Sequence, residues 1–287
     1  MRFPAVRFEL IALMIASLAV SGCEEDSDRP GISPEGAILS DDVHLVSYEA
    51  LYELDLKTIR QASNVSSYRG LYSFSTVDAC DGWTTAQKII AEISTNEGES
   101  MLREYSSTSY ESNDGNLFRF SSVDKADGAV VEEIRGDAVR TEATASGQVT
   151  FSKPSAIAME LPAGTLFPIA HTREAIRSAR MGRMVYEAKL FDGSDEFVPF
   201  ETSLVFGSPK ISGPPEEEAG IGAELASKRF WPSQMGYYAQ DQMEGIPEFE
   251  VTWDFFENGV ATNLVLDYGD IVLQGSLTQL RMLEGGC

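Results

Sequence analysis

The chain has 287 residues, 45 Asp and Glu against 22 Lys and Arg, and a net charge of −23. So negative a surface repels phosphate backbones and anionic headgroups, which argues against nucleic-acid partners and against a polybasic membrane patch. Once the first 40 residues are set aside, about 245 of the 287 remain, enough for one large or two small domains.

The N-terminus reads as an export signal. Arg2 and Arg7 precede an apolar run from Leu10 to Val20, shorter than the roughly 20 residues that cross a bilayer. The run closes as Leu18-Ala19-Val20-Ser21-Gly22-Cys23, the pattern of a bacterial lipoprotein signal, so lipid on Cys23 is expected; an ordinary cleavable signal is the alternative. The acidic stretch Glu24–Asp28, then Pro30, Gly31, Pro34 and Gly36, offers nothing to pack and reads as a tether. The expected organisation is a signal peptide over 1–22, a tether over 23–40 and a β domain over 41–287.

The body shows strand periodicity. From His44 to Leu56 one face carries Val46, Tyr48, Ala50, Tyr52, Leu54 and Leu56, a period of two. Tyr68, Gly70, Tyr72 and Phe74 repeat it, as do Trp83, Thr85, Gln87, Ile89, Ala91 and Ile93. Asp81-Gly82, Asp114-Gly115, Asp127-Gly128, Asp192-Gly193 and Asn258-Gly259 are hairpin dipeptides. The prediction is a mostly β chain, a sandwich, barrel or curled meander. One helix of about nine residues is predicted, capped by Thr172, started by Glu174, with Ile176 and Ala179 inward and Gly182 ending it. Such a helix plugs an end or the concave face of a β body. Ser208–Glu218, rich in Pro, Gly and Glu, reads as a mobile surface loop.

No nucleophile elbow, phosphate loop or zinc-binding His pair is present, so no catalytic residue, metal site or cofactor is assigned. His44 opens a strand, His171 precedes the helix cap, and both read as structural. Gly220-Ile221-Gly222 lacks the third glycine of a dinucleotide fingerprint. If lipid occupies Cys23, Cys80 and Cys287 are left to pair in an oxidising compartment; two unpaired buried thiols are the other possibility. Carboxylates near Cys80 would raise its thiol pKa and oppose reactivity.

The stretches Asp78–Trp83 (DACDGW), Leu161–Thr172 (LPAGTLFPIAHT), Phe191–Asp195 (FDGSD) and Asn258–Val260 (NGV), followed by Leu266-Asp267-Tyr268-Gly269 and a terminal cysteine, resemble the EipB family of periplasmic envelope-integrity proteins. The match runs in order from about His44 to Cys287. LPAGTLFPIAHT is its most specific piece. The resemblance implies one long spiralling antiparallel sheet, or broken barrel, and a disulfide between Cys80 and Cys287. It also implies a non-catalytic role in envelope integrity under stress. That family is associated with ordinary cleavable signals, so a soluble periplasmic protein is the alternative to lipid anchoring here. The leading expectation is a protein that binds other envelope proteins or lipoproteins and meets the membrane through its N-terminal lipid. A carrier of an acyl chain or lipidated protein in a concave apolar pocket is the second reading. A carboxylate-based cell-wall hydrolase is the third.

Overall fold

Alternating side chains drive most of this chain into one sheet. The computed structural model describes residues 43–60, 63–194, 199–213, 222–239 and 245–285. These belong to one compact unit, Leu39–Cys287. The expected signal, tether and Cys23 lie outside the described residues, as do Cys287 and positions 214–221 of the Pro-rich loop.

The first half is a meander: β1 (Tyr48–Ile59), β2 (Val65–Asp78), β3 (Gly82–Thr95), β4 (Ser100–Ser112), β5 (Leu117–Ala126), β6 (Ala129–Arg140), β7 (Gly147–Lys153) and β8 (Ile157–Leu161). A two-residue β9 (Thr165–Leu166) then leads into α1 (Pro168–Arg180). The chain returns through β10 (Val185–Leu190), β11 (Phe200–Phe206), β12 (Lys210–Ile211) and the short α2 (Gly222–Leu225). It finishes with β13 (Arg229–Tyr238), β14 (Phe249–Phe256), β15 (Ala261–Asp267) and β16 (Ile271–Met282). All sixteen strands join one sheet in the order β8-β7-β6-β5-β4-β3-β2-β1-β16-β15-β14-β13-β11-β10-β9, with β12 alongside β13. Every pairing is antiparallel except β9 with β10. The sheet curls into a nearly closed barrel whose two edges, β8 and β9, are consecutive in the chain.

The first predicted strand starts four residues later than expected, at Tyr48, so His44 sits in the extended lead before it and is exposed. The inward face holds: Tyr48, Ala50, Tyr52 and Leu54 are all buried. The Asp127-Gly128 hairpin adopts left-handed φ at both positions, 50° and 79°, as a two-residue turn between twisted strands requires. The Asp81-Gly82 turn is built differently. Cys80 takes the left-handed position, φ 74°. Gly82 instead allows a close approach, since a Cβ there would lie 2.3 Å from the Glu111 carbonyl oxygen.

Helix α1 is thirteen residues long and starts four residues before the expected Thr172 cap. Phe167 is its N-cap residue and Pro168 stands in its first turn, where a fixed φ and a missing N–H cost nothing. His171, expected before the helix, lies inside it and is buried. Ala175, Ile176 and Ala179 share one buried cluster with Tyr48, Ala50 and Tyr52 of β1, Leu204 of β11 and Trp231 of β13, so the helix contributes to the core on the inner face of the sheet. A second cluster gathers Phe118, Phe120, Ile134, Phe151, Phe167 and Phe191. Leu54, Leu266 and Leu273 form a third. In the expected mobile loop, Lys210 and Ile211 pair with Phe230 and Arg229 as β12.

Candidate functional site

The seam where the sheet fails to close sets the candidate site. β8 pairs with β7 on one side and, among the described residues, with no strand on the other. Its Ile157, Ala158 and Glu160 are exposed, while Leu161 is buried. A turn follows: Thr165 N–H donates to Pro162 O at 3.3 Å and Gly164 N–H to Thr144 O at 2.8 Å. β9 then pairs with β10 only at Lys189 and Leu190. Among the described residues, the Val185–Ala188 part of β10 therefore has a strand neighbour on one side alone. Unpaired strand edges present a row of backbone donors and acceptors ready for another strand.

Three buried polar groups hold the seam in this form. Arg140, 5% exposed, donates through Nε to Gly115 O at 2.7 Å and through its guanidinium to Thr165 O at 2.6 Å. Its guanidinium carbon sits 4.4 Å from the Phe167 ring centroid, a cation–π contact in a desolvated place. Glu111 of β4 accepts the Ile169 and Ala170 N–H groups at 2.7 and 2.8 Å. It caps α1 from 58 residues away, since neither Phe167 nor Pro168 can. Burial pushes the Glu111 carboxyl up to about 7, against the helix N–H groups, Arg173 and Arg140. His171 Nε2 lies 3.0 Å from Thr202 Oγ1, which itself donates to Ala188 O at 2.9 Å. With that hydroxyl proton engaged, the ring nitrogen is the donor, and burial lowers the His171 pKa to about 4. The imidazole is thus neutral near pH 7.

Sequence reasoning missed Glu111 and Arg140. Their one signal was a charge on an inward phase of an alternating strand, as with Glu111 following Tyr105, Ser107 and Ser109. Of the site residues that reasoning assigned, Cys80 lies among the described residues and Cys23 and Cys287 do not. Cys80 is exposed in the β2–β3 turn; its N–H donates to Asp78 Oδ1 at 2.9 Å and its carbonyl accepts from Asn113 Nδ2 at 2.8 Å. The C-terminal segment runs toward this turn. Leu283 N–H donates to Ser47 O, Ser47 Oγ accepts from Asp78 N–H, and a Cβ built on Gly285 would lie 3.9 Å from Asp78 Cβ. Among the described residues no group of three or more His, Cys, Asp or Glu could hold a metal ion, and no helix is long and apolar enough to cross a membrane.

Two grooves mark the surface. One of about 530 Å³ is lined by Tyr110, Arg119, Ser121, Arg135 and Asp137. The other, about 260 Å³, lies between Leu45, Ser47, Asp78, Trp83, Leu283 and Gly285.

Comparison with known proteins agrees with this architecture. The cell envelope integrity protein EipB of Brucella abortus (strain 2308) is 30% identical over 248 residues, covering 85% of this chain and 86% of that protein. A crystal structure of a beta-barrel-like protein of a domain of unknown function, also from Brucella abortus, superposes with a TM-score of 0.78 at 28% identity, covering 85% of this chain and all of that one. The EipB-like family pattern matches residues 40–284, and the chain belongs to that family.

Proposed function

We propose that this chain supports cell-envelope integrity as a non-catalytic protein that binds other envelope proteins or lipoproteins through its open seam. The integrity role is taken from the name of the Brucella abortus relative. The binding mode rests on one observation: β8 keeps an exposed edge in an otherwise continuous sixteen-stranded sheet. A partner strand added there would gain main-chain hydrogen bonds, with side-chain fit setting its specificity. The body is held to a membrane by lipid on Cys23 and fastened by a Cys80–Cys287 disulfide. The approach of Gly285 to Asp78 supports that fastening.

The other two readings have less support. The concave face that would receive an acyl chain already holds α1 and its apolar cluster. The buried carboxyl best suited to proton transfer, Glu111, has both oxygens on helix N–H groups, which weighs against hydrolysis.

The test is site-specific photocrosslinking in living cells. A photoreactive residue at Ala158 should capture an envelope protein, whereas one at Ser106, on mid-sheet strand β4, should not. Equal capture from both sites, or none from Ala158, would remove the edge as the binding surface.

A further inference from the structure

The larger groove lies on the outer face of the sheet. Phe118, Phe120 and Ala138 are buried, so the residues that alternate with them on β5 and β6 point outward. Two cross-strand rows line the groove. In one, Tyr110 of β4 faces Arg119 of β5, and Arg119 faces Asp137 of β6. In the next, Thr108 faces Ser121, and Ser121 faces Arg135. Its volume of about 530 Å³ falls within the roughly 300–1,000 Å³ of ligand-binding clefts.

Local features of the chain build this hollow. Arg135 pairs with Lys153 and Gly136 with Phe151, which leaves Ser152 as the extra residue of a β-bulge. A bulge bends its strand and re-aims the side chains beside it. Gly136 permits the close approach here, since a Cβ on it would lie 2.5 Å from Thr150 O. Ser152 Oγ donates to Arg135 O at 3.4 Å. At the other end Gly82 makes room for the Tyr110 ring, because a Cβ there would lie 2.7 Å from both its Cζ and its Oη. The ring is thus seated on the sheet without a ligand.

The chemistry of the lining selects among ligands. Arg119 and Asp137 stand opposite each other, yet among the described residues no ion pair joins them. A hydroxyl both accepts and donates, so one ligand hydroxyl can accept from the guanidinium and donate to the carboxylate. Thr108, Ser121 and Ser152 add hydroxyls of their own. No aliphatic side chain lines the groove, which excludes an acyl chain. The strands here are paired on both sides, so an extended peptide finds no free edge to join. In and beside the groove Arg119, Arg135 and Lys153 are matched by Asp81, Glu133 and Asp137. Glu133 lies against Arg135 and Lys153, and Asp81 lies beside the Tyr110 hydroxyl. Hydrogen bonding rather than net charge therefore defines what fits.

We propose that this groove binds a saccharide, with Arg119 and Asp137 clasping its hydroxyls and the Tyr110 ring against one face of a sugar. The Brucella abortus relative is named for the cell envelope, where peptidoglycan strands and the polysaccharide of lipopolysaccharide both offer this chemistry. The site is independent of the β8 edge, so crosslinking from Ala158 and the experiment below succeed or fail separately.

The test is isothermal titration calorimetry on the purified full-length chain in detergent. One probe is peptidoglycan glycan freed of its peptides and shortened by a muramidase; the other is delipidated polysaccharide from lipopolysaccharide. Binding of the first alone names the cell wall as the source, of the second alone the outer leaflet, and of both a general saccharide site. Arg119→Ala and Asp137→Ala each remove a charged hydrogen-bonding group and should each weaken binding about tenfold or more. Thr108→Arg, at an exposed position of β4, should block the groove and abolish binding. Lys125→Ala, on β5 but outside the groove, should bind as the wild type does. Unchanged melting would confirm that the variants fold. No binding of either probe, wild-type affinity in any of the three groove variants, or an equal loss in Lys125→Ala would overturn the proposal.

Discussion

Glu111 and His171 tilt the pH dependence of stability in opposite directions, and removing either exposes the other. Glu111 has its pKa raised from 4.5 to about 7 in the folded protein. Between those values the folded state holds a proton that the unfolded chain has lost, so stability rises as pH falls. About 2.5 pKa units correspond to roughly 3 kcal/mol. His171 is lowered from 6.5 to about 4. Between those values the unfolded chain binds a proton that the folded state refuses, so stability falls as pH falls, again by roughly 3 kcal/mol. Across the shared window, about pH 4.5 to 6.5, the two slopes of about 1.4 kcal/mol per unit cancel. Glu111→Gln, which keeps one acceptor for the helix, should leave the His171 slope, and the variant should lose stability on acidification. His171→Gln, which keeps a donor for Thr202, should leave the Glu111 slope and gain. Urea unfolding of the three proteins at pH 7, 6 and 5 reads both, and referring each variant to the wild type removes the common background of other carboxylates. Three parallel curves would refute the burial argument for both groups.

Three other outcomes are expected. Cys80→Ser or Cys287→Ser should lower the melting point and speed proteolysis, by up to about 4–5 kcal/mol for so long a loop; unchanged melting, with the wild type confirmed oxidised, would dismiss the pairing. Cys23→Ala should move the full chain from the membrane to the soluble fraction or block its maturation, and unchanged fractionation and mass would dismiss lipidation. Gly82→Ala should destabilise by about 1–3 kcal/mol, because the new Cβ would meet the Glu111 carbonyl oxygen at 2.3 Å; a neutral effect in denaturant melts would show that the β3–β4 contact relaxes freely.

The strands were legible in the sequence because alternation is a local signal. Tyr48, Ala50, Tyr52 and Leu54 name their own inward face, and Asp127-Gly128 names its own turn. Ile176 and Ala179 likewise point inward as their spacing predicts. The helix start was not legible. Thr172 has the chemistry of a cap, but Glu111 supplies the cap from another strand, and no local pattern reports a partner 58 residues away. The parallel β9–β10 contact involves two residues of β9, too few to leave a periodic trace. The open seam follows from the pairing order, and neither edge strand states in its own sequence that its second neighbour is missing.

The position of β1 bears on how the molecule is assembled. β1 lies between β2 and β16, and Arg281 meets Glu49 across 232 residues. As the chain is made, β1 can pair with β2 at once, but its other side waits until nearly the last residue. Until then the face carrying Tyr48, Tyr52 and Leu54 has no β16 beside it, and contacts this distant in sequence form slowly. Until its final strand arrives, the chain is a half-sheet with one unpaired side of β1 and an apolar flank. Loss of the last 17 residues, which removes all of β16, would leave β1 without that neighbour.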